Sequence, residues 1–560
     1  MSFEISPLEW DEERDLNGPD IWILDTAHSL PPWTPCYAWS WLNCLQPGWS
    51  GGPELLSLPS SRGSYSALVD SCCYLAPNII TDEEEKKSRE PAFREAMKPW
   101  IEDYDKAWGS IVDEMLGWWA KLDPIEVEKL STGQLFEHYD DCLIMYKRMW
   151  MLHFLGMYPA YHIYGLFEET TKSLLGINDT DPLFLRLVSG YDNQLKKSDR
   201  MLYQLAMKGV DMGLEDTFKK VPANANEMIP ALEQSEKGKV WLNEFNGFLK
   251  TRGWRIPRFT EFYGPQSAPW IEDPTPAFIF LKQQLEKGDK FAQDELMVES
   301  LGERDEAVKE VLAKIPRDKR DWFRHLLDIV PKAVGFSPEH NHYLDHHANG
   351  IMRRLFQECG RRFALAGAID DPDDVFFMVP PEIEHAILTP SLLNWRPTIN
   401  RRKSKWEQDC KKDHPMTLGR LTLAEAVPMI VTDIILEKLV VGAMPEVRPE
   451  LKADLYGVCG APGVAEGPAR VVMNESQFHE VHPGDVLVAV TTYSSWTPLF
   501  SIIGAAVVDH GGSLSHAAIV GRESGIPVII NTNEPATQKL KTGMKVRVDG
   551  NQGTIHVLAS

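Results

Sequence analysis

Asp509-His-Gly-Gly-Ser-Leu-Ser-His516-Ala-Ala-Ile-Val-Gly-Arg522-Glu523-Ser-Gly-Ile-Pro527 is the stretch that decides how the C-terminal part of this chain folds. An apolar strand runs into Gly511-Gly512, and a short serine-bearing turn delivers His516 to the start of an amphipathic helix ending at Gly525. Two glycines let the backbone turn sharply and approach a phosphate closely. Ser513 or Ser515 can cap the helix, whose first amides and dipole favour an anion. A histidine of pKa near ~6.5 offers a neutral nitrogen at pH 7 that can attack phosphorus. Arg522, nearly two turns along, can return toward the charge. Read alone, the histidine also fits a plain cap or surface residue.

Around this string the pattern is β-rich. Short β-branched runs at Ala469–Met473, Asp485–Val490, Ala505–Asp509, Pro527–Asn531, Lys545–Asp549 and Thr554–Leu558 are separated by Gly, Pro and Asn. Upstream, Val441–Lys452 carries two prolines and mixed charge and reads as a hinge. Before it the periodicity is helical. Ile101, Trp108, Ile111, Met115 and Trp119 recur at helical spacing, and further helices are expected over Thr132–Thr171, Pro182–Met207, Lys237–Thr251, Thr275–Lys287, Asp305–Lys314 and Asn341–Ala366. The first ~75 residues, rich in Trp, Pro, Gly and Ser, read as irregular wrapping with one short helix near Tyr37–Cys44. The expected fold is multidomain α+β: a large, mostly α-helical part over 1–445, a linker over 446–455 and a small β/α domain over 456–560.

Bulk composition excludes several classes. The 560 residues carry a formal charge of −23, which disfavours a nucleic-acid partner. No apolar run reaches the ~18–20 residues that a spanning helix needs, and no secretory signal is visible, so the expectation is a cytoplasmic protein with no membrane partner. The eight cysteines form no Cys-x-x-Cys pair and read as reduced, mostly buried thiols.

The complete string resembles the mobile phosphohistidine domain of phosphoenolpyruvate-utilising enzymes, whose pattern is approximately Gly-Gly-x-x-Ser/Cys-His-Ala-Ala-Ile-Val-Ala-Arg-Glu-x-Gly-Ile-Pro. Gly521 stands where Ala is common. Gly460-Ala-Pro-Gly-Val-Ala-Glu-Gly-Pro-Ala-Arg470, Thr497-Pro-Leu-Phe and Gly504-Ala-Ala-Val-Val-Asp509 continue the match. The resemblance implies a swivelling domain with His516 as phosphoryl carrier and Gly511, Gly512, Ser513, Ser515 and Arg522 at the phosphoryl group. The helical part is similar to the acceptor domain of rifampin phosphotransferase-type proteins and to the corresponding subunit of phenylphosphate synthase. That similarity rests on Pro31-Pro-Trp-Thr-Pro35, Arg252-Gly-Trp-Arg255, Pro269-Trp-Ile-Glu-Asp-Pro274 and Asp370-Asp-Pro-Asp-Asp-Val-Phe-Phe377. No ATP-grasp module and no (β/α) barrel is recognised, so the resemblance implies that a separate ATP-grasp partner uses Mg²⁺ and ATP to charge His516. The acceptor, a phenol or 4-cresol in the similar synthases, would bind the helical domain. The net reaction implied takes ATP, phenol and water to aryl phosphate, AMP and phosphate.

A phenol needs an apolar slot and a base. Trp150, His153, Phe154, Tyr158, Tyr161, Tyr164 and Phe167 on one aromatic run are slot candidates, although each also fits an ordinary core. Ser337-Pro-Glu339-His340-Asn341-His342-Tyr343-Leu-Asp345-His346-His347 supplies base candidates in Glu339, His340, His342 and Asp345. The segment opens a helix at Pro338 that continues to Arg353 and puts Glu339, His342, His346 and Arg353 on one face, with Arg353 or Lys332 steadying the phosphoryl group. A solvated structural helix and a metal cluster are the rival readings of this segment. No pair there matches His-Glu-x-x-His, and no bound metal is expected. At the level of function, an antibiotic phosphotransferase and a non-catalytic phosphohistidine carrier stand beside the phenol-phosphorylating enzyme.

Overall fold

The computed structural model describes residues 19–26, 28–256, 267–287 and 292–559. Residues 1–18 of the segment expected to be irregular lie outside them.

The helix Thr132–Leu175 organises the first three quarters of the chain. A capping box starts it, with Ser131 Oγ accepting from Gln134 N while the Gln134 side chain accepts from Ser131 N, and Gly176 at φ +73° ends it. Packed along it are helices Tyr104–Leu122, Arg320–Val334 and the rod Phe336–Leu365. Two expected helices are shorter than their periodicity. Asp103 accepts from Lys106 N and Asn193 from Lys196 N, so each side chain caps a new helix where the apolar pattern alone runs on.

From residue 19 on, the described residues of the N-terminal segment form regular elements rather than irregular wrapping. Strands β1 (Ile21–Leu24), β2 (Ser61–Val69), β3 (Cys72–Ile79) and β4 (Thr417–Gly419) form an antiparallel sheet in the order β2-β3-β1-β4. Two features hide it from a sequence reading. The β2–β3 reversal uses Asp70 and Ser71, both at positive φ, with no glycine to mark the turn. The other edge of β1 pairs with β4, which lies far along the chain.

Beyond the hinge, β5 (Leu455–Tyr456), β6 (Val458–Ala461), β7 (Val464–Val471), β8 (Val486–Ala489), β9 (Ala505–Val508), β10 (Val528–Ile530), β11 (Lys545–Asp549) and β12 (Thr554–Ala559) form one sheet. The order is β5-β12-β11-β7-β8-β9-β10-β6, and β7 through β10 are parallel. Helix His516–Ser524 makes the crossover from β9 to β10. The multidomain α+β architecture is therefore as the sequence implies. The new element is the docking: the turn before His516 packs on the wide turn Leu436–Val441 that precedes the expected hinge, with Gly512 N donating to Leu439 O and Leu514 N to Lys438 O.

Candidate active site

Three wide turns of the i→i+5 type border a single cavity. They span Trp41–Leu45, Asn341–Asp345 and Leu436–Val441. In each, the amide after the turn reaches back five residues: Gln46 N to Trp41 O, His346 N to Asn341 O, and Gly442 N to Glu437 O. Such turns insert one residue into a helix and re-aim the side chains beyond it. The cavity holds about 140 Å³ and has a predominantly apolar wall. Trp41, Trp49, Trp150, Phe154, Met157 and Tyr161 line one side, and Ser337, His340, Asn341, Asp345, His346 and Asn349 the second. Thr491–Ser495, Ser515 and His516 from the C-terminal domain close the third.

His516 begins its helix and sits between two hydroxyls, with Thr492 Oγ1 2.8 Å from Nδ1 and Thr497 Oγ1 3.0 Å from Nε2. Thr497 donates its own proton to the Ser494 carbonyl at 2.7 Å, and a carbonyl only accepts. The Nε2–H of His516 therefore donates to Thr497, and Nδ1 accepts from Thr492. Burial, then the charge of Arg255, then His346, push the imidazole down to about 3, so the ring is neutral at pH 7.

The same cavity is lined by a carboxylate between two imidazoles. His153 Nδ1–H donates to Asp345 Oδ1 at 3.0 Å, and His340 Nε2 stands 3.4 Å from Oδ2. The His340 Nδ1–H is held by the Phe336 carbonyl at 2.9 Å. Burial alone would raise the Asp345 carboxyl, but His153 and His340 outweigh it and hold it well below the usual range. His153 is lowered by burial, which the charge of Asp345 only partly offsets. A carboxylate fixing one imidazole N–H leaves the far nitrogen, Nε2, as a proton acceptor of set orientation. The sequence suggests His153 for the slot and not for the base, because its carboxylate partner is 192 positions away. Donor atoms of His153, His340 and Asp345 all lie within 4.8 Å of one another, a spacing that also suits a metal ion.

The expected helical face of Glu339, His342, His346 and Arg353 does not form, because the wide turn at Asn341–Asp345 shifts the register by one residue. Of those four only His346 lines the cavity, its Nε2 2.9 Å from Ser494 Oγ. Glu339 instead accepts from Gln194 N at 2.8 Å and is raised by burial to about 7. His342 faces Arg252 at 3.3 Å and is pushed down to about 3 by burial, then by that guanidinium. Arg353 is bound to Glu272 at 2.7 Å, and Lys332 pairs with Asp105 at the surface. Neither borders the cavity.

Among the aromatic candidates, Trp150, His153, Phe154 and Tyr161 line the cavity. The buried Trp150 Nε1 and Tyr161 hydroxyl have no hydrogen-bond partner among the described residues. Tyr158 lies behind, donating to Asp433 Oδ2 at 2.9 Å beneath Trp49, and Tyr164 and Phe167 pack on Phe184 in the core.

The glycine turn also differs from its expected use. Gly511 takes φ +138°, and a Cβ on Gly512 would run into the Lys438 carbonyl, so the close approach is to the backbone of the wide turn Leu436–Val441. Ser513 donates to Asp179 Oδ2 at 2.7 Å, where Lys438 also binds at 2.9 Å. The Arg522 guanidinium donates to the Gly460 and Ser513 carbonyls and is structural in this position. Ser515 alone of that set lines the cavity, with its buried hydroxyl unpartnered among the described residues.

Comparison with known proteins finds matches for two segments of the chain. Residues 481–553 match the mobile domain of PEP-utilising enzymes, and residues 153–337 match the fourth domain of rifampicin phosphotransferase. The chain is similar to the uncharacterized phosphotransferase YvkC of Bacillus subtilis, at 24% identity over 79% of this chain and 51% of that protein. Chondramide synthase cmdD of Chondromyces crocatus is 27% identical over 73% of this chain and 10% of its own length. Phosphoenolpyruvate synthase of Pyrococcus furiosus is 36% identical over 27% of this chain and 18% of its own. The chain thus spans about half the length of the first of these and far less of the others. No helix among the described residues is long and apolar enough to cross a membrane.

Proposed function

We propose, for a chain whose residues 481–553 match the mobile domain of PEP-utilising enzymes, that His516 carries a phosphoryl group and passes it to the hydroxyl of a small phenol. One observation carries this reading: the neutral His516 ring and the His153–Asp345 pair open onto the same aromatic cavity. The volume argues for a single ring, since about 140 Å³ is close to the ~150 Å³ of an apolar cavity that takes up benzene. A rifamycin-like macrocycle is the second reading, favoured by the match of residues 153–337; it is several times larger than this space.

In the proposed step the phenol oxygen attacks phosphorus, its proton passes to His153 Nε2, and the P–N bond to His516 breaks. The imidazole leaves neutral, its second nitrogen keeping a proton against the threonine hydroxyl beside it. Asp345 stabilises the imidazolium formed at His153, and Ser515 is free to donate to a phosphoryl oxygen. Charging of His516 is assigned to a separate ATP-grasp subunit that uses Mg²⁺ and ATP, after the mobile domain has swung out of the docked position.

Intact-mass analysis of the protein mixed with such a subunit and Mg-ATP tests this, beside His516→Ala. The expected result is an acid-labile gain of one phosphoryl, absent in the variant and discharged by 4-cresol. A stable gain that no phenol discharges would reject the acceptor; discharge by rifampicin instead would favour the second reading.

A further inference from the structure

Phosphoryl transfer gathers negative charge on three oxygens, and a buried site needs a cation beside them. Among the described residues, no Lys or Arg stands in the cavity wall, and Arg353, Lys332 and Arg522 are all engaged elsewhere. A different guanidinium lies near His516. Arg255 is next to Ile256, which lines the cavity, and is 3% exposed. It is anchored through Nη1 on Asp199 Oδ1 at 2.8 Å, and its guanidinium lies 4.8 Å from the Trp270 ring centroid. Asp199 belongs to helix Gln194–Asp211, which packs against the Ser494–Ser501 turn that carries Thr497, the Nε2 partner of His516.

The other end of this guanidinium is unfilled. Arg255 Nη2 is buried and has no hydrogen-bond partner among the described residues, and neither has Asp199 Oδ2. An unmet buried N–H of this kind is costly to keep and calls for a ligand. The charge of Arg255 acts on His516, His346 and His342 and pushes each toward the neutral form. A guanidinium held rigid at one nitrogen and open at another suits a phosphoryl oxygen.

We propose that Arg255 binds the phosphoryl group of phosphorylated His516 in the docked state, with Asp199 as its positioning residue. The proposal rests on His516 being the carrier. It assigns the phosphoryl-stabilising cation to the helical domain, so the charge is met only when the mobile domain is docked.

The test uses phosphoramidate, a small donor that phosphorylates histidine without any partner protein. Wild type, Arg255→Gln, Arg255→Lys and His516→Ala are treated with it, and acid-labile phosphoryl is read by intact mass before and after adding 4-cresol. Arg255→Gln is expected to load as wild type does and to discharge about 10²–10³-fold more slowly. Arg255→Lys recovers part of the rate, because it keeps the charge but not the fork. In the unphosphorylated Arg255→Gln protein, the His516 imidazole titrates at higher pH than in wild type, by NMR. Loading with discharge at the wild-type rate in both Arg255 variants would overturn the Arg255 assignment and leave the carrier intact. Failure of wild type to load at His516 would overturn the carrier reading, and this proposal with it. If Arg255→Gln does not fold, an unchanged discharge rate in Arg255→Lys is the overturning result.

Discussion

The two walls that meet at the cavity are built in opposite ways. On the mobile-domain wall, His516 is held by Thr492 and Thr497, both within 24 positions of it, and by a turn that runs directly into its helix. On the helical-domain wall, His153 and Asp345 come from elements 192 positions apart, and the second arrives through a wide turn that breaks helical register. Under the proposed function, a carrier that leaves and returns needs its histidine held by parts that travel with it. An acceptor site needs only to be complete when the carrier arrives, so it can be assembled from distant elements.

The most severe way to test that contrast is to remove the travelling part. His516→Ala is expected to abolish acid-labile phosphoryl while leaving the thermal unfolding midpoint within a few degrees of wild type. On the stationary wall, Asp345→Asn is expected to leave loading unchanged and to slow discharge to 4-cresol about 10²–10⁴-fold. Equal loss of both steps in this variant would break the division of labour between the walls.

Between the walls lies the docking contact. Gly512→Ala forces a Cβ against the Lys438 carbonyl, an overpacking of about 1–3 kcal/mol that translates to roughly 5–150-fold slower discharge. Loading by phosphoramidate is expected to be unaffected, since the clash exists only in the docked state.

The pH dependence sharpens the base assignment. His153 is held below the usual ~6.5 by burial, so discharge is expected to be flat from neutrality upward. It falls only as pH drops through that depressed value, where His153 becomes protonated. Removing the Asp345 charge, which raises His153, moves this acid limb to still lower pH in Asp345→Asn. The smallest effect is expected from Lys332→Ala. Its surface pairing with Asp105 predicts loading, discharge and stability within about 0.5 kcal/mol of wild type.

The range of each interaction decides how legible it is in the sequence. The strand–turn–helix around His516 and the helical grammar before residue 440 are local patterns, and both are present in the fold. The N-terminal sheet reads as irregular in sequence because its turn lacks glycine and its β4 partner is remote. Glu339, His342 and Arg353 fall together on an ideal helix because 3.6-residue periodicity cannot register an inserted residue. Arg255 stands out in sequence only as part of a resemblance, since a guanidinium looks the same there whether it is satisfied or not.

By itself, then, the sequence determined the α+β division, the strand–turn–helix at His516 and the aromatic character of Trp150–Tyr161, because these depend on neighbours a few residues away. Tertiary structure alone decided that His153 rather than Glu339 lines the cavity with His516, that Gly512 meets the Lys438 backbone, and that Arg255 keeps an open nitrogen. Each of those depends on which distant backbone comes within hydrogen-bonding range, and on the register that three wide turns impose.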